Sequence, residues 1–477
     1  MRSSVLTLLT AVTGGALQAG IGTPARAGEA SKPNILLMVS DDLNMHLGCY
    51  GCRGLRSPNI DRLATAGRRF DQAYCQYPLC NPSRTSLLSG WRPEHTRVWN
   101  NTEAPRSHLA GGTPLQEHFH AQGYFTARVG KVYHVPFEAE FEWDVAEDAR
   151  GRDSEPASRP SAARRAGGNK AATTGAGDQR EEVFPPVPPT PTDRADTDEQ
   201  DGHTARRVAE LIQQHKDGPF FIAAGFHRPH LPWTAPRRYF DLYSASQMTW
   251  PAEPGNDRDD IPRIALTGRS FLSISPDQRR SFIAAYQACV SFMDAQVGVL
   301  LGTLDHLKLW DLTIVVFCGD NGFHLGEHGI WGKGSLFEES LRVPLIIVAP
   351  RMAQPGKATA SLAEFVDVYP TLVELCGVPR VEGLEGTSLV PVLVDPETTV
   401  KTAAFSMVVR GRAGVATSMR TQRYRYTEWP DDSVELYDHQ VDPQEYRNLA
   451  REPSQTAVCQ ELGRTLRAGY KAAVIAR

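Results

Sequence analysis

The sequence has no dense block of basic residues and no large excess of charge of either sign. Its 51 lysines and arginines nearly balance its 55 aspartates and glutamates, which gives a formal net charge of −4. A protein that tracks nucleic acid needs a concentrated positive surface, so we expect no nucleic-acid partner. The function must therefore be sought in local groups of residues rather than in the overall charge.

Cysteine is also scarce, with eight residues in 477. A chain this long does not need a disulfide scaffold. Cys49 and Cys52 form a C-x-x-C pair, but without a second such pair or a histidine pair a zinc site is not expected. Cys289 and Cys318 lie in apolar helix and strand patterns, which is typical of buried residues. Cys80 differs from these, for reasons given below.

Beyond the first residues, the chain lacks an apolar segment that reads as a membrane span. The first residues have the pattern of an export signal: a basic start at Met1-Arg2, an apolar stretch over 5–17 and the small-x-small group Ala25-Arg26-Ala27. The apolar stretch is too short to span a bilayer of ~30 Å. We expect a signal peptide over 1–27, cleavage near Ala27, and an exported protein that is periplasmic, cell-surface or secreted and has no membrane span in its mature chain.

Short β-branched runs alternate with longer helical patterns in the remaining sequence. Strands are predicted over 34–39, 125–129, 220–224, 313–318 and 345–348, and helices over 60–67, 203–215 and 276–307, the last opened by Ser275. This alternation predicts an α/β fold, with a mostly parallel sheet sandwiched by helices.

Two regions break the alternation. Residues 146–200 are poor in large apolar side chains and rich in Arg, Ala, Gly, Pro and Asp, so a disordered insertion is expected there. A polar, proline-containing boundary near 391–402 ends the predicted catalytic domain, 28–395. Strand patterns over 403–409, 414–420 and 424–429 and a helix over 456–473 predict a smaller α+β subdomain at 396–477 with an antiparallel sheet.

Polar residues follow four of the predicted strands directly. Singly, each has an ordinary explanation, because an aspartate often caps a helix, a lysine is usually solvated and a histidine is often structural. Ligands of open α/β sheets bind beyond the carboxyl ends of the strands, so their convergence favours one site. The residues are Asp41 and Asp42, Lys131 and His134, His227 and His230, and Asp320 and Asn321.

The oxygen-bearing members of this set indicate a metal site. Asp41, Asp42, Asp320 and Asn321 offer carboxylate and amide oxygens, which suit Ca²⁺ or Mg²⁺ better than zinc. A cation held there could polarise an oxygen of an anionic substrate.

Cys80 begins the most specific segment, Cys80-Asn81-Pro82-Ser83-Arg84. Pro82 near the first turn predicts a helix that opens at the cysteine, and a helix N-terminus with Arg84 one turn in can bind a tetrahedral oxyanion. A buried cysteine beside a helix cap, with Arg84 on the surface, explains this segment alone equally well.

Cys80-x-Pro82-Ser83-Arg84, continuing to Leu88-Ser89-Gly90, resembles the signature of the type I sulfatases, and within that family the chain is most similar to the iduronate-2-sulfatase branch and its bacterial relatives. Further motifs stand in the family's order over nearly the whole mature chain outside 146–200. These are Asp41-Asp42, Ser57-Pro58-Asn59-Ile60-Asp61-Arg62-Leu63-Ala64, Gly130-Lys131-Val132-Tyr133-His134, Gly319-Asp320-Asn321-Gly322, Gly326-Glu327-His328-Gly329 with Lys333, and Leu436-Tyr437-Asp438 with Asp442-Pro443 and Asn448-Leu449. The narrower similarity to the iduronate-2-sulfatase branch rests on Gly225-Phe226-His227-Arg228-Pro229-His230-Leu231-Pro232-Trp233 and on the pair Lys131 and His134.

The resemblance implies an alkaline-phosphatase-like fold and a nucleophile made by oxidation of Cys80 to formylglycine, with a formylglycine-generating or sulfatase-maturating enzyme as partner. One Ca²⁺ per chain would be held by Asp41, Asp42, Asp320 and Asn321 and would touch the hydrated aldehyde at position 80. By the same resemblance, Arg84 and Lys131 hold the diol, His134 is the base, and His227 with Lys333 contacts the sulfate, His227 being the candidate acid. His230 and Trp233 are second choices.

The implied reaction is hydrolysis of an O-sulfate ester on a sulfated saccharide, with a uronate 2-O-sulfate expected first and other sulfated polysaccharides next. The chain departs from the pattern of the lysosomal iduronate-2-sulfatase at Asn321, where that pattern has a histidine after the metal-ligating aspartate. It departs again at Gly322-Phe323-His324, and these residues are expected to border the sugar pocket. Two alternatives remain: a phosphoesterase with two zinc ions, which would want a Ser or Thr at position 80, and a non-catalytic exported sugar-binding protein.

Overall fold

The computed structural model describes residues 32–148, 188–250, 252–266 and 274–475. The predicted signal peptide and residues 149–187 of the predicted insertion lie outside the described residues. Both flanks of that insertion belong to the fold, because Val145–Glu147 pairs with Phe125–Gly130 and Thr190–Thr192 pairs with Thr234–Pro236.

The strands within the described residues are numbered in chain order. They are β1 Asn34–Asp41, β2 Arg68–Phe70, β3 Ala73–Tyr74, β4 Phe125–Gly130, β5 Val145–Glu147, β6 Thr190–Thr192, β7 Phe220–Pro229, β8 Thr234–Pro236, β9 Thr313–Gly319, β10 His324–Leu325, β11 Trp331–Gly332, β12 Leu345–Val348, β13 Ala358–Thr359, β14 Ala363–Glu364, β15 Ala403–Val409, β16 Val415–Thr421, β17 Tyr424–Glu428 and β18 Val434–Asp438.

The α-helices are numbered in the same way. They are α1 Pro58–Ala66, α2 Cys80–Ser89, α3 Pro93–Thr96, α4 Pro105–His108, α5 Leu115–Ala121, α6 Gln200–His215, α7 Arg237–Phe240, α8 Pro276–Leu307, α9 Glu338–Leu341, α10 Val368–Cys376, α11 Val390–Val394, α12 Thr456–Ala468 and α13 Tyr470–Ala473.

The central sheet has eight strands in the order β13-β2-β12-β9-β1-β7-β4-β5. Strands β9, β1, β7, β4 and β5 run parallel, whereas β12 is antiparallel to both of its neighbours. Alternate residues of β1 enter different cores, Ile35 and Leu37 on one face and Leu36 and Met38 on the other. Every residue of β1 is buried, which explains the unbroken apolar run that predicted it.

Helix α8 has the cap that the sequence predicted. The Ser275 hydroxyl accepts from the Gln278 backbone N–H, and the Gln278 side chain accepts from the Ser275 N–H, which completes a capping box. Among the described residues this is the one helix long and apolar enough to cross a bilayer, but 83% of its apolar stretch is buried within the protein. It is a core helix of the α/β layer.

The C-terminal region forms a four-stranded antiparallel sheet in the order β15-β16-β17-β18, covered by α12 and α13. Three of these strands agree with the predicted ones to within one residue, and the predicted final helix is divided at Gly469. The fourth strand, Val434–Asp438, contains the Leu436-Tyr437-Asp438 motif. A mostly parallel sheet between helices, followed by this antiparallel sheet, is the expected fold class.

Candidate functional site

The site lies at the carboxyl end of β1, where Asp41 and Asp42 are both fully buried. Asp42 adopts a left-handed backbone conformation with φ of 59°. The Tyr286 hydroxyl on α8 stabilises this turn by donating to the Asp42 carbonyl at 2.8 Å and accepting from the Asn44 N–H at 2.9 Å. The turn points the two neighbouring carboxylates into the same polar space.

The carboxyl end of β9 supplies Asp320 and Asn321 to the same space. The Asp320 Oδ1 accepts from the backbone N–H of Asp42 at 2.9 Å, and the Asn321 amide donates to Asp42 Oδ1 at 2.8 Å. The Ser83 hydroxyl on α2 donates to the Asp320 carbonyl. Three chain segments are therefore locked together by direct hydrogen bonds.

Cys80 is the first residue of α2 and is completely buried. Its Sγ lies 3.0 Å from Lys333 Nζ and 3.9 Å from Asp42 Oδ1. Burial and the charge of Asp41 raise the pKa of this thiol well above its ordinary value, so as a cysteine it stays protonated. The residue is therefore not activated as a thiolate, despite its position at a helix start.

One ligand atom from each of Asp41, Asp42, Cys80 and Asp320 lies within 4.8 Å of the others. Within the described part of the chain, two buried oxygens at this point have no hydrogen-bond partner: Asp42 Oδ2 and Asn321 Oδ1. Buried polar atoms are normally paired, and carboxylate and amide oxygens are the ligands of hard divalent cations. The residues present therefore fit a bound Ca²⁺ or Mg²⁺.

Arg84 is fully buried beneath this group. Its Nε donates to Asp320 Oδ2 at 2.8 Å, its Nη2 lies 3.2 Å from Asp41 Oδ1, and its Nη1 donates to the carbonyls of Lys131 and Val132. The guanidinium thus holds two carboxylates and the Lys131 backbone in fixed positions. The alternative of a surface-exposed Arg84 is wrong.

Lys131 reaches the site because β4 and β7 approach very closely at their ends. A Cβ on Gly225 would lie 2.1 Å from the Lys131 carbonyl, and Gly130 has φ of 79°, so both positions require glycine. The Lys131 ammonium donates to Asp41 Oδ2. Burial would raise the pKa of Asp41, but the charges of Lys131, His230 and Arg84 hold it well below its ordinary value.

His134 and His227 line a cavity of about 300 Å³ next to Lys131, with Asp148 and Gln200 on its walls. His227 Nδ1 lies 3.8 Å from Asp41 Oδ2. Burial and the Lys131 charge lower the pKa of His134 to about 3, and burial and His230 lower that of His227 well below its ordinary value. Both rings are therefore neutral at neutral pH. The cavity gives them access to a substrate.

Comparison with known proteins identifies this arrangement. A family model described as sulfatase matches residues 33–378, and one described as N-sulphoglucosamine sulphohydrolase, C-terminal, matches residues 326–471. The chain belongs to the sulfatase family. It is therefore a sulfuric ester hydrolase, and members of this family generally use a metal ion and formylglycine.

Several curated relatives agree with this assignment. The chain is 30% identical to a sulfatase of Formosa agariphila (88% of this chain, 84% of the relative) and 31% identical to human iduronate 2-sulfatase (72% and 69%). It is also 30% identical to a choline-sulfatase of Rhizobium meliloti (88% and 83%). Similarity to the iduronate-2-sulfatase branch is thus shown, alongside relatives with other substrates.

Solved structures support the fold. A phosphonate monoester hydrolase of Agrobacterium radiobacter superposes with a TM-score of 0.73 at 22% identity, covering 91% of this chain and 95% of that one. A 2-O GAG sulfatase superposes with a TM-score of 0.70 at 23% identity and 92% coverage of both chains. At these identities the likeness establishes the architecture of this sulfatase.

The sequence patterns did not single out one buried acid of the sulfatase site. Asp201, on the first turn of α6, accepts from the backbone N–H groups of His227 and Arg228 at 2.7 and 2.9 Å. Burial raises its pKa to about 6. Asp201 lies in the stretch 193–201, which contains several other acidic residues, so the sequence does not distinguish it from them. The available signal was its position on the buried face of helix α6. Asp201 fixes the strand end that carries His227.

His230, ranked second from the sequence, lies as close to the carboxylates as His227 does. Its Nε2 is 3.7 Å from Asp42 Oδ2 and 3.9 Å from Asp41 Oδ2, and its Nδ1 donates to the Leu231 carbonyl at 2.6 Å. Trp233 is fully buried among aromatic side chains and is part of the core.

The expectation that Phe323 and His324 border the sugar pocket is wrong. Phe323 is 1% exposed and packs against Tyr286, and His324 is fully buried against Ser335. Both side chains point inward because they belong to the turn and short hairpin that follow Asn321, whose backbone is tied to α9 by the Gly322 N–H and the Ser340 carbonyl. The departure from the lysosomal pattern at these positions therefore concerns packing and not sugar contact.

Proposed function

We propose that this sulfatase is exported and removes an O-sulfate from a sulfated saccharide, using formylglycine made from Cys80 and one Ca²⁺. The observation that carries the proposal is the gathering of Cys80 with Asp41, Asp42 and Asp320, beside two buried oxygens that accept no hydrogen bond from any described residue. A metal would supply the missing partners of Asp42 and Asn321. When bound, the cation and the hydrated aldehyde would supply a polarised sulfate and an oxygen nucleophile at neutral pH.

Three positively charged side chains surround this group of residues, and each has a different proposed role. Lys333 lies 3.0 Å from Cys80 Sγ, so its ammonium would contact the side chain at position 80 and a sulfate oxygen. Lys131 is held by Asp41 and would neutralise charge that develops on the opposite side. Arg84 acts mainly through Asp41 and Asp320, whose carboxylates it orients for the metal.

The two histidines supply proton transfer. A neutral His134 could accept the proton of the remaining hydroxyl of the diol at position 80 in the elimination step that releases sulfate, and its buried Nδ1 has no hydrogen-bond partner among the described residues. His227 faces the cavity in which the leaving alcohol would lie. A bound sulfate ester adds negative charge beside that ring and raises its affinity for a proton, so His227 can protonate the leaving oxygen.

The cavity of about 300 Å³ is large enough for one sugar ring beside the reacting sulfate. Asp148 on its wall pairs with Arg128 at 3.1 Å, so the far side of the cavity has a mixed carboxylate and guanidinium surface that suits hydroxyl groups. A terminal uronate 2-O-sulfate is our first candidate, in line with the similarity to iduronate 2-sulfatase. Sulfated galactans and fucans come next.

The decisive experiment is mass spectrometry of the protein purified from a host with a maturating enzyme. Trypsin releases residues 70–84, which contain both Cys75 and Cys80, so Cys75 is an internal control. We expect an aldehyde at Cys80 and an unmodified thiol at Cys75. An unmodified Cys80 in active enzyme would refute the formylglycine mechanism.

Activity assays test the reaction and the metal together. Aryl sulfate should be hydrolysed with Ca²⁺ and aryl phosphate poorly with either Ca²⁺ or Zn²⁺, whereas a phosphoesterase would reverse this order. Cys80→Ala should abolish turnover, and Cys459→Ala, on the C-terminal helix α12, should leave it unchanged. A screen of defined sulfated oligosaccharides and choline sulfate, with sulfate release measured by ion chromatography, then assigns the substrate. Release from choline sulfate alone would reject a saccharide substrate.

A further inference from the structure

Lys333 lies in a backbone segment that has unusual freedom. Its two neighbours, Gly332 and Gly334, have φ angles of 114° and 91°, a region open mainly to glycine. Glycines on both sides allow the lysine to turn toward Cys80, but they leave its direction poorly determined by the backbone alone. Other groups must therefore hold the segment in place.

His324 holds this segment on both sides of the lysine. Its backbone pairs with Gly332 in the β10–β11 hairpin, one residue before Lys333. Its Nε2 lies 2.7 Å from the Ser335 hydroxyl, two residues after Lys333. A single fully buried residue thus fixes both ends of the Gly332–Ser335 turn.

The hydrogen bonds of Ser335 define the direction of this contact. The Ser335 hydroxyl donates to Ser340 Oγ at 2.9 Å and accepts from the Phe337 N–H at 3.3 Å. Its hydroxyl proton is therefore used, so the His324 Nε2–H must be the donor. Burial and the charge of His328 lower the pKa of His324 to about 3, which keeps the ring neutral and adds no competing charge beside Lys333.

A second contact holds the same turn from the C-terminal region. Arg410, which follows β15, donates from Nη2 to the Gly334 carbonyl at 2.8 Å, and it also bonds the Ile264 carbonyl. This contact fixes the position of the turn. It involves neither Gly332 nor Ser335, the two residues that His324 holds. At the far end of the side chain, the Lys333 ammonium donates to Asp42 Oδ1. The hairpin contacts of His324 therefore set the backbone from which the lysine reaches the site.

We propose that His324 is a positioning residue that aims Lys333 at the sulfate through its hydrogen bond to Ser335. The inference rests on the proposed role of Lys333 in binding sulfate. It gives a chemical purpose to a buried histidine that lies only three residues after the metal-site residue Asn321, and it links the metal segment and the sulfate-binding lysine in one continuous hairpin.

The test compares His324→Leu, which removes the donor, with His324→Gln, whose amide can still donate to Ser335. Groups behind a metal ligand typically change function by about 10–100-fold, and we expect His324→Leu to lower kcat/KM for aryl sulfate and to weaken inhibition by inorganic sulfate by a factor in that range. His324→Gln should retain kcat/KM within about threefold of the wild type, a change well below that 10–100-fold range. Ser335→Ala should lower kcat/KM and weaken sulfate inhibition as much as His324→Leu does. The double variant should show no loss beyond that of either single variant.

Combination with Lys333→Ala separates positioning from general damage. If His324 acts through Lys333, His324→Leu in the Lys333→Ala background should cause no further loss. Leu325→Ala, a buried change in the same hairpin whose side chain packs in the core on the α8 side of the sheet, is the control for destabilisation and should leave sulfate inhibition unchanged. Thermal unfolding of every variant verifies that the folded protein is being measured.

The outcomes are distinguishable. Equal losses from His324→Leu in both backgrounds, or a loss in His324→Gln as large as in His324→Leu, would overturn the positioning role. If Lys333→Ala itself changes neither sulfate inhibition nor turnover, it is the proposed sulfate-binding role of Lys333 that fails.

Discussion

Two groups of buried charged residues in this sulfatase look alike and behave differently. At the site, Asp41, Asp42 and Asp320 face Arg84, Lys131 and Lys333. Between the central sheet and the C-terminal sheet, Glu364 and Asp367 face Arg92 and Lys401. Positive and negative groups are equal in number in both places, and nearly all of these side chains are buried.

The difference lies in how completely the oxygens are paired. In the second group, which we call the interface cluster (Arg92, Glu364, Asp367 and Lys401), each carboxylate oxygen accepts at least two hydrogen bonds, and Glu364 also accepts from the Phe405 N–H of β15. At the site, Asp42 Oδ2 and Asn321 Oδ1 have no partner among the described residues. A closed set of bonds stabilises the fold, whereas an open set leaves oxygens that could serve as the ligands of the proposed ion.

The largest expected effect comes from exchanging one acid in each group for its amide. Asp42→Asn should weaken calcium binding and lower aryl sulfate turnover by at least about 100-fold, because a lost ligand should cost no less than a lost second-layer contact. Asp367→Asn should leave calcium stoichiometry unchanged and lower the unfolding temperature. Bound calcium measured by atomic emission, alongside turnover, checks both. Normal calcium binding by Asp42→Asn would remove the distinction between the two groups.

The second largest effect is expected on the free energy of unfolding, when the interface cluster loses its lysine. Lys401→Met leaves Glu364 and Asp367 buried with only Arg92, and removing one partner of a buried ion pair costs about 3–5 kcal/mol of unfolding free energy. The matched change at the site, Lys333→Met, should cost much less in saturating calcium, because the cation remains beside Asp42. Urea unfolding of both variants is the measurement. Equal losses would contradict the comparison.

The stability of the interface cluster should also depend on acid pH. Burial would raise the pKa of Glu364, but Arg92 and Lys401 lower it to about 2, against an ordinary value of 4.5. A lowered pKa means that the unfolded chain binds the proton first, so the stabilisation is complete above pH 4.5 and is lost as the pH falls toward about 2. The stability difference between wild type and Lys401→Met should shrink over this window in urea titrations. A difference independent of pH would be the contrary result.

Much of the fold could be predicted from the sequence because buried parallel strands are continuous apolar runs. The same physics explains what escaped prediction. Val145–Glu147 and Thr190–Thr192 are short strands at the edges of sheets, which pair through the backbone and need few apolar side chains, so a polar composition hid them. The amino-acid composition of a segment indicates whether it can form part of a hydrophobic core. It says little about whether the backbone of that segment pairs with a strand at the edge of a sheet.

Part of the candidate site could be predicted for a related reason, since Asp41, Lys131 and Asp320 lie at or directly after the ends of parallel strands, where such a sheet binds its ligands. Cys80 and Arg84 lie on α2 instead and were predicted from their motif. The residues that hold these site residues in place could not be predicted from the sequence. Asp201 and Tyr286 lie on helices far away in sequence, and the Lys401–Glu364 pair joins residues whose proximity no local pattern encodes. The sequence after Asn321 likewise gave no sign that His324 faces inward, because a histidine shortly after a proposed metal ligand is compatible with either direction.

The smallest expected effect isolates burial as the cause of these differences. Arg62 and Asp305 form a two-pronged pair at 2.8 and 2.7 Å, the same geometry as Arg92 and Glu364, but their side chains are 48% and 44% exposed instead of 3% and 1%. Water already solvates the exposed ions, so Arg62→Met should cost at most about 1 kcal/mol in urea unfolding. Arg92→Met should cost several-fold more. Because the two pairs share their bond lengths, similar costs would show that pair geometry, and not the degree of closure from water, sets the stability of buried charges in this protein.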